Sequence, residues 1–362
     1  MTLTLDLMIF SLQTGGGISV QWAEYLKRLI KTVTHEDLEL KLLLPENQNT
    51  VLEKLVLPHQ LVIKQSRVSS FMKYFPSFYR GNPNEILHMS YYRSYPFFRG
   101  KRVVTVHDFI HHYYMPPLKS KPHEHLKWLS LRSADVIVCV SEATKADMLR
   151  IYPDLARHDI RVITPAATAE DFYYEPSSSE AKEPYLIWVG GRAGYKNFSG
   201  GLVALRKARQ TWPNLKLRVV GAPLDAAEEA EIASKGLQDA VIMEPRATQE
   251  RLRGLYSGAL ALLYLSHYEG FGLPILEAQR CRCPVICLPT AAAKEVGQDS
   301  IFYISESMDE IPHILNLLSD PNQREAILEA GKTNEARYSW DRSYQKFYKL
   351  YRELGWSQAM PS

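Results

Sequence analysis

The chain has 362 residues, which at roughly 150 per domain points to two domains, each long enough to bury a core. Apolar residues make up 46% and charged residues 23%, a globular composition that excludes a disordered, collagen-like or coiled-coil chain. With 43 Lys and Arg against 40 Asp and Glu, the formal charge of +3 is too balanced for a protein whose whole surface clings to nucleic acid. In chain order, Leu3, Leu5, Leu7 and Ile9 alternate with Thr4 and Asp6, a strand signal. After a Gly-rich turn, Trp22, Leu26, Leu29, Ile30 and Val33 recur at helical spacing. Short apolar runs at 38–44, 103–106, 135–140 and 160–163 suit strands of a parallel sheet buried on both faces. Residues 175–184 are polar and Pro-bracketed, and read as a linker. Strand-like runs then restart at 185–189, 215–220, 240–243, 259–265, 284–288 and 300–303, with helical stretches between.

This alternation predicts an α/β protein of two Rossmann-like parallel-sheet domains facing across a cleft, residues 1–174 and 185–340. A hinge near 165–184 is expected, with 341–362 as a helix crossing back to the first domain. Cys139, Cys281, Cys283 and Cys287 are too few for a disulfide scaffold, so a reduced, cytoplasmic protein is expected. The opening 17 residues lack a basic region and a long apolar run, so no signal peptide is expected. No uncharged apolar run reaches the roughly 18 residues of a membrane span.

In open α/β sheets ligands sit at the carboxyl ends of strands, which directs attention to four segments. Gly15-Gly16-Gly17 follows the first strand and precedes a helix, so a phosphate could approach its backbone closely; a plain tight turn explains it equally well. It is neither GxGxxG nor a P-loop. Gly190-Gly191-Arg192-Ala193-Gly194-Tyr195-Lys196 puts two cations on a Gly-rich turn, suited to a diphosphate or simply to water. Glu269 and Glu277 bracket Gly270-Phe271-Gly272-Leu273-Pro274. Pro is comfortable in a first helical turn, so a helix should begin near Leu273 and carry Glu277 one turn in. Its free N–H groups would seat a phosphate between two carboxylates that accept from hydroxyls.

His107-Asp108-x-x-His111 invites a zinc reading, but Pro116 and Pro117 leave no long helix and no Glu base follows. His107 serves better as a hydrogen-bond partner for substrate, or is satisfied within its own domain. Residues 64–102 carry eight Lys or Arg against one acid, Glu85, interleaved with aromatics. That mixture fits an anionic membrane interface or a nucleic-acid groove, although much of the aromatic content must be core.

Taken together, these motifs resemble the large retaining glycosyltransferase family 4, of GT-B fold. The likeness rests on Glu269-x7-Glu277, on GGIS at Gly16–Ser19, VTVHD at Val104–Asp108, SADVIVCVSEATKADM at Ser133–Met148 and VGGRAGYKNF at Val189–Phe198. The resemblance implies a bacterial polysaccharide-type enzyme, with GDP-mannose favoured as donor by family habit. Glu277 would bind the ribose, Glu269 the transferred sugar, and Arg192 with Lys196 the diphosphate. Phe271, Gly272 and Leu273 would offer main-chain N–H groups, and Ala247 would edge the base. Gly16 and Gly17 would pack on the diphosphate, and His107 would reach the sugar. The family usually works without a metal or other cofactor, and with retention. Front-face attack is expected, the departing phosphate accepting the acceptor's proton.

The acceptor would be a glycan or lipid-linked sugar in surface polysaccharide or lipopolysaccharide assembly, met at the inner leaflet through residues 64–102. Nucleic acid is not expected as a partner. A GT-B nucleotide-sugar epimerase and an inactive sugar-nucleotide-binding scaffold are the alternatives. The sequence departs from the family's habit at Arg282, where Gly is usual, at Ala293-Lys294-Glu295 and at Pro165-Ala166-Ala167.

Overall fold

The computed structural model describes residues 1–66, 75–176, 183–192, 194–245 and 247–357. The chain divides into two compact units, Met1–Ala166 with Ser339–Ser362, and Ala167–Tyr338.

In the first unit seven parallel strands are ordered β3-β2-β1-β4-β5-β6-β7. They are β1 (Thr2–Asp6), β2 (Leu40–Pro45), β3 (Val62–Gln65), β4 (Glu85–Met89), β5 (Lys101–Val106), β6 (Val136–Cys139) and β7 (Asp159–Val162). Sequence patterning anticipates five of these and misses β3 and β4. The omission of β4 is physical. Its sequence, EILHM, is polar at positions that face the interior, and every one of its residues is buried. Glu85 is made tolerable there by the Thr4 and Tyr79 hydroxyls and by the Asn82 N–H at 3.1 Å.

The helix Gly17–Glu36 lays Trp22, Tyr25, Leu26, Leu29 and Val33 on the sheet, the 3.6-residue repeat of one buried face. Over it runs the final helix, Trp340–Glu353, whose Tyr344, Phe347 and Tyr351 gather around Tyr25 with ring centroids 5.0–6.3 Å apart. Leu350, Tyr351 and Trp356 are fully buried in this unit's core.

The second unit has six parallel strands in the order β10-β9-β8-β11-β12-β13. They are β8 (Tyr185–Val189), β9 (Lys216–Gly221), β10 (Val241–Pro245), β11 (Ala261–Tyr264), β12 (Val285–Cys287) and β13 (Phe302–Tyr303). Both sheets share the 3-2-1-4-5-6 order of a dinucleotide-type fold, with the direction of winding reversing between the first and fourth strands. A separate core built on Leu186, Trp188, Leu202, Leu205, Leu217 and Leu263 holds this unit together.

The boundary falls earlier than the expected residue 174. Residues 167–176 cluster with the second unit because its cations hold them. The Arg280 Nε donates to the Phe172 carbonyl at 3.1 Å, and Arg253 pairs with Glu175 at 3.1 Å. Of the expected linker, residues 177–182 lie outside the described residues. All four cysteines are free and buried. Among the described residues, no helix is long and apolar enough to cross a membrane.

Candidate functional site

In the second unit the chemistry gathers where the winding reverses. Strands β8 and β11 are neighbours there, and the loops leaving them carry the candidate residues. The β8 loop carries Lys196 on the single turn Gly194–Lys196, and the β11 loop carries Glu269. The two side chains meet: Lys196 Nζ lies 2.5 Å from Glu269 Oε1, with side-chain exposures of 22% and 12%. The His267 N–H donates to the Tyr195 carbonyl at 2.8 Å and ties the same two loops. The hydroxyl of Tyr264, at the end of β11, is pushed well up by burial and by the charge of Glu269 beside it, so it stays a donor.

Beyond Glu269, Gly272 opens the helix Leu273–Arg280 at φ +119°, a conformation L side chains rarely adopt. Pro274 sits in its first turn and no side chain caps it, as the sequence suggests. Phe271 is buried edge-on against Tyr338, with ring centroids 5.6 Å apart, so what it offers a ligand is its main chain. Glu277 lies one turn in. It retains partial exposure, yet burial of its carboxylate raises its pKa to about 7. Nearby Asp171 adds to the rise, and the Tyr256 hydroxyl, donating to Oε2 at 3.3 Å, opposes it. Ala247 is a half-buried small residue between β10 and Thr248, which caps the helix Gln249–Gly258.

Arg192 is held by protein partners: its guanidinium grips Glu228 with two bonds, at 2.7 and 2.9 Å. It also donates to the Ala222 and Pro223 carbonyls at 2.9 and 2.8 Å, and its side chain is 7% exposed. A planar fork satisfied on a carboxylate and two carbonyls braces the turn after β9 and has little left to give an anion.

In the first unit, Gly16 at φ +133° caps the Gly17–Glu36 helix; both glycines are exposed and no acid occupies its first turn. His107 follows β5 and is 7% exposed. Its ring hydrogen-bonds the Ser90 main-chain carbonyl, and Nε2 is buried without a partner. The bond to a carbonyl therefore assigns the proton to Nδ1 and leaves Nε2 as a lone-pair acceptor. Burial lowers the imidazole pKa to about 4, with the Lys127 charge adding and Asp108 opposing, so the acceptor persists at neutral pH. Ser90 is itself held by β1 and the turn after it, its N–H donating to the Asp6 carbonyl at 3.1 Å and its hydroxyl accepting from the Ile9 N–H at 3.2 Å.

His111 belongs to a five-residue helix, Ile110–Tyr114, and stacks on His123 with centroids 3.9 Å apart. Among the described residues no group of three or more His, Cys, Asp or Glu side chains could hold a metal ion. In the basic aromatic stretch, residues 67–74 lie outside the described residues. Of the rest, Tyr92, Tyr95 and Phe98 are core, whereas Phe75, Phe78 and Phe97 are exposed. Sequence reading missed Tyr256, which has no motif to announce it. It also missed Lys127, whose signal was available: it shares a helical face with the buried His123, Leu126 and Ser130.

Residues 16–171 match the profile of Glycosyltransferase Family 4, and residues 170–334 that of Glycosyl transferases group 1. The chain carries both domains of a family 4 glycosyltransferase. O-antigen chain mannosyltransferase B of Escherichia coli is 28% identical over 242 residues, covering 62% of this chain and 62% of that protein. A D-inositol 3-phosphate glycosyltransferase of Corynebacterium urealyticum is 30% identical over 247 residues, covering 61% and 57%. The match thus spans about three fifths of these relatives' length. Among solved structures, Anabaena HepE in complex with UDP-glucose superposes with a TM-score of 0.73 at 14% identity, over 98% of this chain and 100% of that one. WaaG, a glycosyltransferase of lipopolysaccharide biosynthesis, gives 0.69 at 15% identity over 96% and 99%. At such identities the likeness is one of fold, and that fold is GT-B.

Proposed function

We propose that this family 4 protein transfers a sugar from a nucleotide-sugar donor to a hydroxyl of a glycan or lipid-linked acceptor. The observation that carries the proposal is the Lys196–Glu269 pair beside the Gly272-capped helix. A diphosphate seated on that helix N-terminus competes with Glu269 for the Lys196 ammonium. Glu269, released, becomes an acceptor for hydroxyls of the sugar, and the lysine neutralises charge growing on the leaving phosphate. Glu277 accepts from the ribose hydroxyls while Tyr256 orients it. In the first unit, the lone pair on His107 Nε2 is an acceptor for a sugar hydroxyl. Retention by front-face attack, without a metal, is part of the proposal, as is a setting at the cytoplasmic side of the membrane.

GDP-mannose is the proposed donor, supported by two relatives named as O-antigen mannosyltransferases. UDP-sugars are the competing choice, since HepE is described with UDP-glucose. Titration calorimetry with GDP and UDP separates them. Glu277→Ala should weaken the preferred nucleotide at least tenfold, the loss of about 1.4 kcal/mol expected for a charge-assisted bond. Unchanged affinity in that variant overturns the assignment.

A lipid-linked acceptor would be met through Phe75, Phe78 and Phe97, which stand exposed in a stretch that also holds Arg80, Arg99 and Lys101. Such apolar and basic surface suits an anionic bilayer. Flotation with anionic vesicles at low salt should carry the protein upward, and Phe78→Ser with Phe97→Ser should leave it in the pellet. Failure of the unaltered protein to float points to a soluble acceptor.

A further inference from the structure

Lys127 lies on the inner face of the helix Pro117–Arg132 and is 2% exposed. A lysine buried this deeply is expensive unless its charge is employed. Its ammonium donates to the Asp108 main-chain carbonyl at 2.6 Å. It also sits over the rings of Phe109, 4.1 Å from the centroid, and Tyr92, 4.7 Å away. Two of these contacts fall on the segment that begins at His107, and the third is with Tyr92, which bonds the His107 main chain.

The peptide after His107 is held by the lysine, the His107 main chain by the Tyr92 side chain, and the imidazole by the Ser90 carbonyl. With those restraints in place, the one polar atom of the ring left over is Nε2, buried and without a partner. We propose that Lys127 is a positioning residue for His107, fixing the Asp108 carbonyl and, by its charge, adding to the burial that keeps Nε2 an acceptor for a sugar hydroxyl. This rests on the transferase reading of the site and adds the group that sets its acceptor.

The charges around the ammonium are arranged for that task. Burial lowers the ammonium's pKa to about 8, while Asp108 on the loop and Glu124 on the helix itself favour the cation; the Cys139 thiol at the end of β6, pushed up to about 12 by burial, stays uncharged. His107 is the other titratable group that feels the ammonium, and the lysine's charge disfavours the imidazolium there. A neutral pillar of the same shape would support the loop but would not act on the imidazole. That difference separates positioning from mere packing.

The test is a 15N NMR titration of the imidazoles in the full-length protein, which needs no turnover. In the unaltered chain His107 should stay in the Nδ1–H tautomer until near pH 4. Lys127→Met should raise its pKa by about one unit and mix its tautomers. Lys127→Gln, which keeps a donor for the carbonyl but drops the charge, should raise the pKa while preserving the tautomer. Lys127→Arg should restore both. His88, buried in the same sheet, reports whether the unit is intact by its signals at neutral pH, where neither imidazole is charged; its own titration feels His107 and is not the control. An unshifted His107 in the Gln variant, with His88 unchanged, overturns the proposal. Nucleotide binding resides in the second unit, so failure of the transferase reading registers there and not in this titration.

Discussion

Arg282 takes φ +54°, a left-handed conformation that costs an L residue roughly 1–2 kcal/mol. This position explains the departure visible in the sequence, where family 4 usually places Gly: the turn after the Leu273–Arg280 helix demands a positive φ. The strain is offset by the guanidinium, which grips Glu325 at 2.6 and 2.7 Å and Glu329 at 3.0 Å. Those pairs are surface pairs, each contributing about 0–1 kcal/mol. Arg282→Gly should therefore relieve strain, lose ion pairs and gain chain entropy in the unfolded state, three terms of similar size. The expected outcome is a melting temperature within about 3 °C of the unaltered protein and nucleotide affinity within threefold. A larger loss of affinity would show that Arg282 reaches the ligand, contrary to its placement against Glu325 and Glu329.

At the scale of elements, what was legible in the sequence was whatever repeats locally. Strand β8 reads YLIWV and is buried from end to end but for its last residue, so an apolar run suffices to find it. The helix start at Leu273 follows from Pro274 and Gly272 alone. Strand β4 was hidden because its Glu85 and His88 are solvated by protein instead of water, through partners up to 263 residues away such as Tyr351. The same blindness explains Arg192. Spacing puts a cation on the Gly-rich turn, but Glu228, 36 residues on, decides what the cation holds. The capping box that Glu228 makes with Asp225 fixes that carboxylate in place, so the brace is prepared before any ligand arrives. Lys196 is held by Glu269 and lies over the Tyr195 ring, 5.2 Å from its centroid; under the proposed function it is the cation a diphosphate recruits.

Across the whole molecule, the largest buried titrations between pH 7 and 5 differ in sign between the two units, and acid should pull their stabilities apart. In the first unit burial lowers His88 to about 3 and His107 to about 4. The unfolded chain binds protons at these sites from about pH 6.5 downward, so their contribution is complete above that and is lost as pH falls towards the folded values. Between pH 7 and 5 the loss is about 4 kcal/mol, opposed at the acid end by Asp6, which burial raises. In the second unit Glu277 is raised to about 7 by burial, against the Tyr256 hydrogen bond. Here the folded form binds the proton more tightly, so stability is complete below about 4.5 and is lost as pH rises through 7. The same acidification therefore adds about 2 kcal/mol to that unit. Scanning calorimetry at pH 7 and pH 5 should show one transition moving down and the other up. Glu277→Gln should flatten the rising one, and His88→Gln should shrink the fall of the other. Two transitions falling together in all three proteins would contradict this assignment of the buried charges, because neither imidazole can supply a gain nor Glu277 a loss over that interval.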